Sequence, residues 1–178
     1  MGLLNWNGRP AQESDFIAFY TERGDLLRNT AYLLCGDWHL AEDLTQTTFT
    51  KLYRSWQRIE RRDTMDQYAR KTLMRVFLDE RRRPWRREYA TAPGSTALDS
   101  TAREDPRDEP SVLHTALMRL PKRRRAVLVL RFWADMSVEQ VADALDCSVG
   151  TVKSQTARGL AQLRGLLDRS QVQSDRQE

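Results

Sequence analysis

Met136-Ser137-Val138-Glu139-Gln140-Val141-Ala142-Asp143-Ala144-Leu145-Asp146-Cys147-Ser148-Val149-Gly150-Thr151-Val152-Lys153-Ser154-Gln155-Thr156-Ala157-Arg158 is the stretch whose reading decides the fold. Ser137 suits a helix N-cap, and Gln140 three residues on completes a capping box. Val138, Val141, Ala142 and Leu145 recur at i, i+3, i+4 and i+7, the spacing of one buried helical face. Ala142 is small and lets a second helix cross closely. Asp146 follows the last periodic residue, and aspartate is among the few non-glycine residues that tolerate a left-handed backbone. Ser148 then caps a helix whose apolar face is Val149, Val152, Leu160, Leu163 and Leu167. Thr151, Lys153, Ser154, Gln155 and Arg158 fill its other faces near the N-terminal end, where they can bond base edges or phosphates. Cap, helix, tight turn, cap, helix is the grammar of a helix-turn-helix, which reads DNA in the major groove. The alternative is an ordinary helical hairpin with a solvated charged face.

Upstream, helical periodicity continues. Residues 14–84 carry Phe16, Ile17, Phe19 and Tyr20, then Leu26, Leu27, Thr30, Ala31, Leu33 and Leu34 at helical spacing. Gly36 ends that run and Asp37 can cap the next, on which Ala41, Leu44, Thr48, Leu52 and Trp56 keep the period and Phe49 and Tyr53 widen the stripe. A polar loop covers residues 57–64, and Asp66 can cap a further helix carrying Tyr68, Leu73, Val76 and Phe77. Residues 85–110 contain Pro93, Gly94, Pro106 and Pro110 among small and acidic residues, the composition of a flexible acidic linker. Residues 111–168 form a second unit. Val112, Leu113, Ala116, Leu117 and Leu120 make its first helix. Pro121 starts another with Ala126, Val127, Leu130 and Trp133, and the helix-turn-helix completes it. No stretch alternates at period two, so the expected architecture is all-α: two small helical domains on a flexible linker.

The 178 residues suit one or two small domains, and a formal charge of +4 favours an anionic partner. That charge is uneven: residues 58–87 hold eleven Arg or Lys against five acids. Two dissimilar basic modules on a tether suggest two separated contacts on one DNA. Cys35 and Cys147 form no CxxC or Cys/His cluster, so neither a disulfide framework nor a metal site is expected. The first ten residues lack the pattern of a secretory signal, and no apolar run is long enough to span a bilayer, which together imply a cytoplasmic protein without membrane insertion. An enzyme would have to use His39 or His114, and neither stands at triad or metal spacing. A dimeric helix-turn-helix regulator would account for the C-terminal half alone.

Leu33-Leu34-Cys35-Gly36-Asp37-Trp38-His39-Leu40-Ala41-Glu42-Asp43-Leu44-Thr45-Gln46, Leu120-Pro121-Lys122-Arg123-Arg124-Arg125-Ala126-Val127-Leu128 and Gly150-Thr151-Val152-Lys153-Ser154 resemble, in that order, segments of bacterial RNA polymerase sigma factors of the extracytoplasmic-function class. The resemblance covers both folded segments. It implies that residues 14–84 are sigma region 2, which binds core RNA polymerase and opens the −10 element. It implies that residues 111–168 are region 4, which binds the polymerase flap and the −35 element.

Residue by residue, the resemblance assigns Asp43 and Gln46, which share a helical face, to core-polymerase binding. Without it, they read as a solvated acidic helix start. Arg70, Lys71, Arg75, Arg81 and Arg82 fall to −10 DNA, with Arg83 beside them. Trp56, Tyr68 and Phe77 are either core residues or platforms for unpaired bases. Thr151, Lys153, Ser154, Gln155, Ala157 and Arg158 fall to −35 DNA, Ala157 through a thymine methyl group. Lys122 to Arg125 serve phosphate or flap contact, or are simply a solvated helix start. Relatives commonly carry Asn at the position of Arg75 and Arg at that of Gln155, so base preference departs there. The resemblance implies no chemistry, no cofactor and no metal, a monomer when free, promoter DNA and core RNA polymerase as partners, and the anti-sigma factor that holds many members inactive.

Overall fold

The structure, a computed structural model, describes residues 9–58, 64–80 and 111–174. Every regular element among them is helical. Helix α1 spans Arg9–Cys35 and α2 spans Trp38–Ser55. Gly36 stops α1 at φ 79°, where glycine carries no Cβ penalty, and its N–H donates to the Tyr32 carbonyl at 2.7 Å. Asp37 is extended, and its carboxylate accepts the Leu40 N–H at 3.0 Å, capping α2. So short a connection folds α2 back along α1. A 3₁₀ turn, Trp56–Arg58, follows, then α3, Met65–Glu80. Asp66, expected as the cap of α3, lies inside its first turn instead. There it takes the Arg23 Nε at 2.9 Å and still meets the positive end of the helix dipole.

The second half begins with α4, Val112–Met118, capped by the Ser111 hydroxyl. Helix α5, Lys122–Leu128, runs into a π turn, Val129–Trp133. Helix α6 spans Val138–Ala144, and the long α7 spans Val149–Ser174. The Val149–Val152 end of α7 packs on α6, and further along it lies across α5 and α4. Gly159 makes the α5 crossing possible, because a Cβ there would stand 3.2 Å from Leu128.

Leu27, Ala31 and Leu34 of α1, Ala41, Leu44, Phe49 and Leu52 of α2, and Leu73, Met74 and Phe77 of α3 form the core of the first half. Thr45 and Thr48 are also buried, at no hydrogen-bonding loss: each hydroxyl donates to the carbonyl four residues back, at 2.7 Å. The core does not stop at the boundary between the halves. α1 packs against α4, α5 and the π turn, and α3 packs against α6. One apolar cluster therefore runs from Leu27 through Val127, Leu130 and Met136 to Val141 and Val152. The linker at residues 85–110 lies outside the described residues. Residues of the expected stripes that lie exposed instead of in the core include Ile17, Tyr20, Tyr53, Val112, Leu113, Trp133 and Leu160, with Tyr53 51% exposed and Trp133 48%. Trp133 closes the π turn, whose extra residue rotates the helical face away from the stripe.

Candidate nucleic-acid interface

The turn between α6 and α7 is built from local hydrogen bonds. The Ser137 Oγ accepts the Gln140 N–H at 3.1 Å, and Gln140 Oε1 accepts the Ser137 N–H at 2.8 Å, a complete capping box. Asp146 takes the left-handed turn position at φ 49°. Ser148 Oγ accepts the Thr151 N–H at 3.1 Å and lies 2.9 Å from Thr151 Oγ1. The Glu139 carboxyl is held below its ordinary value of 4.5 by its own backbone N–H and the Ser137 hydroxyl, with Lys153 and Arg131 adding to the effect.

This scaffold fixes the face of α7. Val152 is fully buried, while Lys153, Ser154, Ala157 and Arg158 are exposed together on the opposite side. Thr151 is half-buried at the helix start, where backbone N–H groups suit a phosphate. Gln155 is half-buried as well, at the edge nearer Val152. Four of the six expected residues thus share one accessible face, and the half-buried Thr151 and Gln155 flank it.

On α3, Arg70 is half-buried and Arg75 is exposed, and Lys71 and Arg75 share a face four residues apart. Lys71 is not simply solvated, because its Nζ bonds Asp143 on α6. Arg81 and Arg82, with Arg83, lie outside the described residues. The aromatics divide. Trp56 and Phe77 are buried core residues, and Trp56 stands edge-on to Phe16 at 5.1 Å. Tyr68 is 37% exposed, with its hydroxyl 3.4 Å from Ser55 Oγ, and is the one of the three that presents a face to solvent.

Asp43 and Gln46 are both exposed on α2. Gln46 lines a polar groove of about 410 Å³ with Tyr20, Thr21, Asp25, Arg28 and Glu42. Arg28 links both sides, at 3.5 Å from Asp25 and 3.7 Å from Glu42. Sequence reasoning missed Arg28 and Glu42; their partnership joins two helices and has no local signature. The run from Lys122 also splits. Lys122 and Arg123 are exposed, and Arg124 donates to Gln162 at 2.7 Å. Arg125 is buried and donates to the Met118 carbonyl at 3.3 Å, so it braces the α4–α5 turn. His114 is buried on α4 and His39 is exposed. Among the described residues no group of three or more His, Cys, Asp or Glu is placed to hold a metal, and no helix is long and apolar enough to cross a membrane.

Two family models match the chain. One, described as Sigma-70 region 2, covers residues 19–87, and the other, Sigma-70, region 4, covers residues 111–163. The chain is 34% identical to the RNA polymerase sigma-E factor of Streptomyces coelicolor over 153 residues, which is 84% of each chain. It is 31% identical to the ECF RNA polymerase sigma factor SigL of Mycobacterium tuberculosis over 169 residues, covering 89% of this chain and 92% of that one. Among solved structures it is similar to the sigma factor RpoE in complex with the anti-sigma factor NepR from Bartonella quintana. That match has a TM-score of 0.70 at 24% identity and covers 86% of this chain and 97% of the other. It is similar also to CnrH in complex with the cytosolic domain of CnrY, with a TM-score of 0.62 at 21% identity, covering 88% and 90%. At these identities the two structures show the shared fold.

Proposed function

Since the chain belongs to the sigma-70 family of RNA polymerase sigma factors, in its extracytoplasmic-function class, we propose a residue-level division of labour for its promoter recognition. The protein is a sigma factor that binds core RNA polymerase and directs initiation at promoters with −10 and −35 elements. In our reading the working units are residues 14–84 and 111–168, joined by a linker over 85–110. The α7 face of Lys153, Ser154, Ala157 and Arg158 enters the −35 major groove, with Thr151 on a phosphate. Gln155 flanks that face and contacts the groove edge. Arg70, Lys71 and Arg75 meet −10 DNA, together with Arg81 and Arg82, and Tyr68 is the stacking platform. Asp43 and Gln46 bind core polymerase, and the Arg28–Glu42 pair shapes the groove beside Gln46.

The observation that carries this reading is the joint exposure of Lys153, Ser154, Ala157 and Arg158 opposite buried Val152 on a helix whose start is fixed by Ser148. A helix so presented offers its N-terminal residues to base edges. The mechanism is differential binding without chemistry: contacts to unpaired bases favour the open promoter over the duplex. Attachment to polymerase adds the enzyme's own DNA contacts to a weak intrinsic affinity. We take the protein to be cytoplasmic, monomeric when free and without enzymatic activity. We also take it to be subject to an anti-sigma factor, as the similar RpoE structure is of a complex with the anti-sigma factor NepR.

The reading is tested by titrating Arg158→Ala and Gln46→Ala separately against core polymerase and against a −35-dependent promoter. Arg158→Ala should weaken promoter use and leave core binding unchanged, and Gln46→Ala should do the reverse. Loss of core binding in Arg158→Ala would refute the assignment.

A further inference from the structure

We propose, resting on the assignment of Asp43 and Gln46 to core binding, that Gly24 is the point at which a helix of core RNA polymerase crosses α1, backbone against backbone, in the groove beside Gln46. Gly24 lies near the middle of the 27-residue helix α1. Alanine is the best helix former and glycine among the poorest, so a glycine there weakens the helix unless some contact needs it. Nothing described in this chain does. Its backbone is not left-handed, unlike that of Gly36 at φ 79°. A Cβ at Gly24 would meet no neighbouring atom within 4 Å, whereas one at Gly159 would stand 3.2 Å from Leu128. The missing side chain leaves room for something outside the chain.

An open Cβ position is not in itself a contact point, and Gly165 of α7 is open in the same way. The setting of Gly24 is what differs. It lines the polar groove between α1 and α2, with Tyr20 four residues before it and Arg28 four residues after it on the same wall. Glu42, Thr45 and Gln46 of α2 line the groove with it. Tyr20 and Arg28 stand one turn to either side, so the wall has a notch at Gly24. Thr45 is buried and turns its hydroxyl back to the Ala41 carbonyl at 2.7 Å.

The two ends of the groove differ in chemistry. At one end Ile17, Tyr20 and Tyr53 are exposed. Phe16 lies 5.0 Å from Tyr53, and Phe49 lies 4.6 Å from Tyr20, so these rings form one apolar step across both helices. At the other end Asp25 and Glu42 flank Arg28, and the exposed Asp43 adds a third carboxylate. Acids outnumber bases there, which disfavours DNA as the occupant and favours a basic group. The surface suits an amphipathic helix with apolar side chains over the aromatic step and an Arg or Lys over the carboxylates. Because the groove is continuous with Gln46, that helix belongs to core polymerase. Packed helices ordinarily lie about 8–10 Å apart, as set by the side chains at the contact, and a glycine at the crossing lets them come closer.

The test is equilibrium binding of the full chain to core polymerase, read by fluorescence anisotropy, beside thermal unfolding of each free variant. Gly24→Ala should raise the melting temperature of the free protein by about 2–4 °C, as removal of a helical glycine does. The same variant should bind core polymerase roughly threefold to tenfold more weakly, because its methyl group stands where the partner backbone must lie. Gly24→Leu should keep its helical circular dichroism, since the space around it is open, and should lose core affinity on the order of a hundredfold. Gly165→Ala should stabilise the free protein in the same way and leave core binding unchanged. A purely structural role would move stability and binding together, whereas a contact at Gly24 moves them in opposite directions. If Gly24→Leu binds core as the parent does while Gln46→Ala binds weakly, the close approach is refuted and the core-binding assignment stands. If neither variant weakens binding, the assignment of this face fails as well. Should Gly24→Leu lose its fold, Gly24→Ala decides, and unaltered core affinity in that variant overturns the proposal.

Discussion

Arg158 and Lys153 stand together on the exposed side of α7, yet they are expected to act differently. We assign Arg158 to a base edge, and a good bidentate contact of that kind discriminates by ~1–3 kcal/mol. Arg158→Ala should therefore cut initiation from −35-dependent promoters roughly tenfold and relax selection at one base position. If Lys153 on the same face meets the groove's phosphate edge rather than a base, Lys153→Ala should weaken all promoters alike and lower the slope of log affinity against log salt by about one. Filter binding by holoenzyme across a salt series separates the two outcomes. Cys35 offers a test independent of DNA. Burial raises its thiol to about 11, with the Asp37 charge adding, although the Asp37 carbonyl accepts from Sγ at 3.2 Å. Alkylation at pH 8 should spare Cys35 in the folded protein, with labelling there appearing only on denaturation. The unfolded thiol ionises near 9.0 and the folded one near 11, so its contribution to stability is present below pH 9 and is lost as pH rises through that window. Unfolding curves for Cys35→Ala should accordingly lack part of the alkaline destabilisation of the parent protein. At this scale the sequence was most readable where chemistry is local. Ser137, Gln140, Asp146 and Ser148 act within a few residues of themselves, and all four occupy the expected turn positions. Gln155 was less readable, because its half-burial depends on where α7 lies against the rest of the domain.

Helices α6 and α7 depend on their caps more than most. Helix α6 is only seven residues long, too short to persist without its cap and its packing. Ser137→Ala breaks the capping box and should cost ~0.5–2 kcal/mol, read as a lower melting temperature of the second half. Gly159→Val places a branched side chain against Leu128, 3.2 Å from where a Cβ would sit. It should cost ~1–3 kcal/mol by overpacking and separate α7 from α5. Calorimetry on both variants would check these values. Element boundaries came through the sequence where glycine, proline or a capping side chain punctuates it, as at Gly36, Asp37, Pro121 and Ser148. They were obscure where geometry deviates without such a marker. The π turn at Val129–Trp133 has no sequence signature, and it turned Trp133 outward from the stripe to which its spacing assigned it. Asp66 lies one step inside α3, where its partner is Arg23, forty-three positions earlier.

For the whole molecule, the legible part was the composition of each half and the illegible part was their contact. Periodicity reports which face of a helix is buried but not against what. Leu27 and Leu34 read as core of the first half, and they belong to a cluster that continues to Val152. Tyr32 carried no sequence signal and His114 read only as a histidine without triad or metal spacing, yet the two rings are stacked. Such pairings join distant positions and leave no pattern in either segment. Function at this scale is joint action: core polymerase supplies affinity, and the two halves supply the choice of site. The most direct measurement is in vitro transcription by core RNA polymerase with and without this chain, on a template library carrying varied −35 and −10 elements. The account predicts that the chain redirects initiation to a defined set of start sites, and that Arg158→Ala loses those sites while still binding core. Start sites identical to those of core polymerase alone would contradict it.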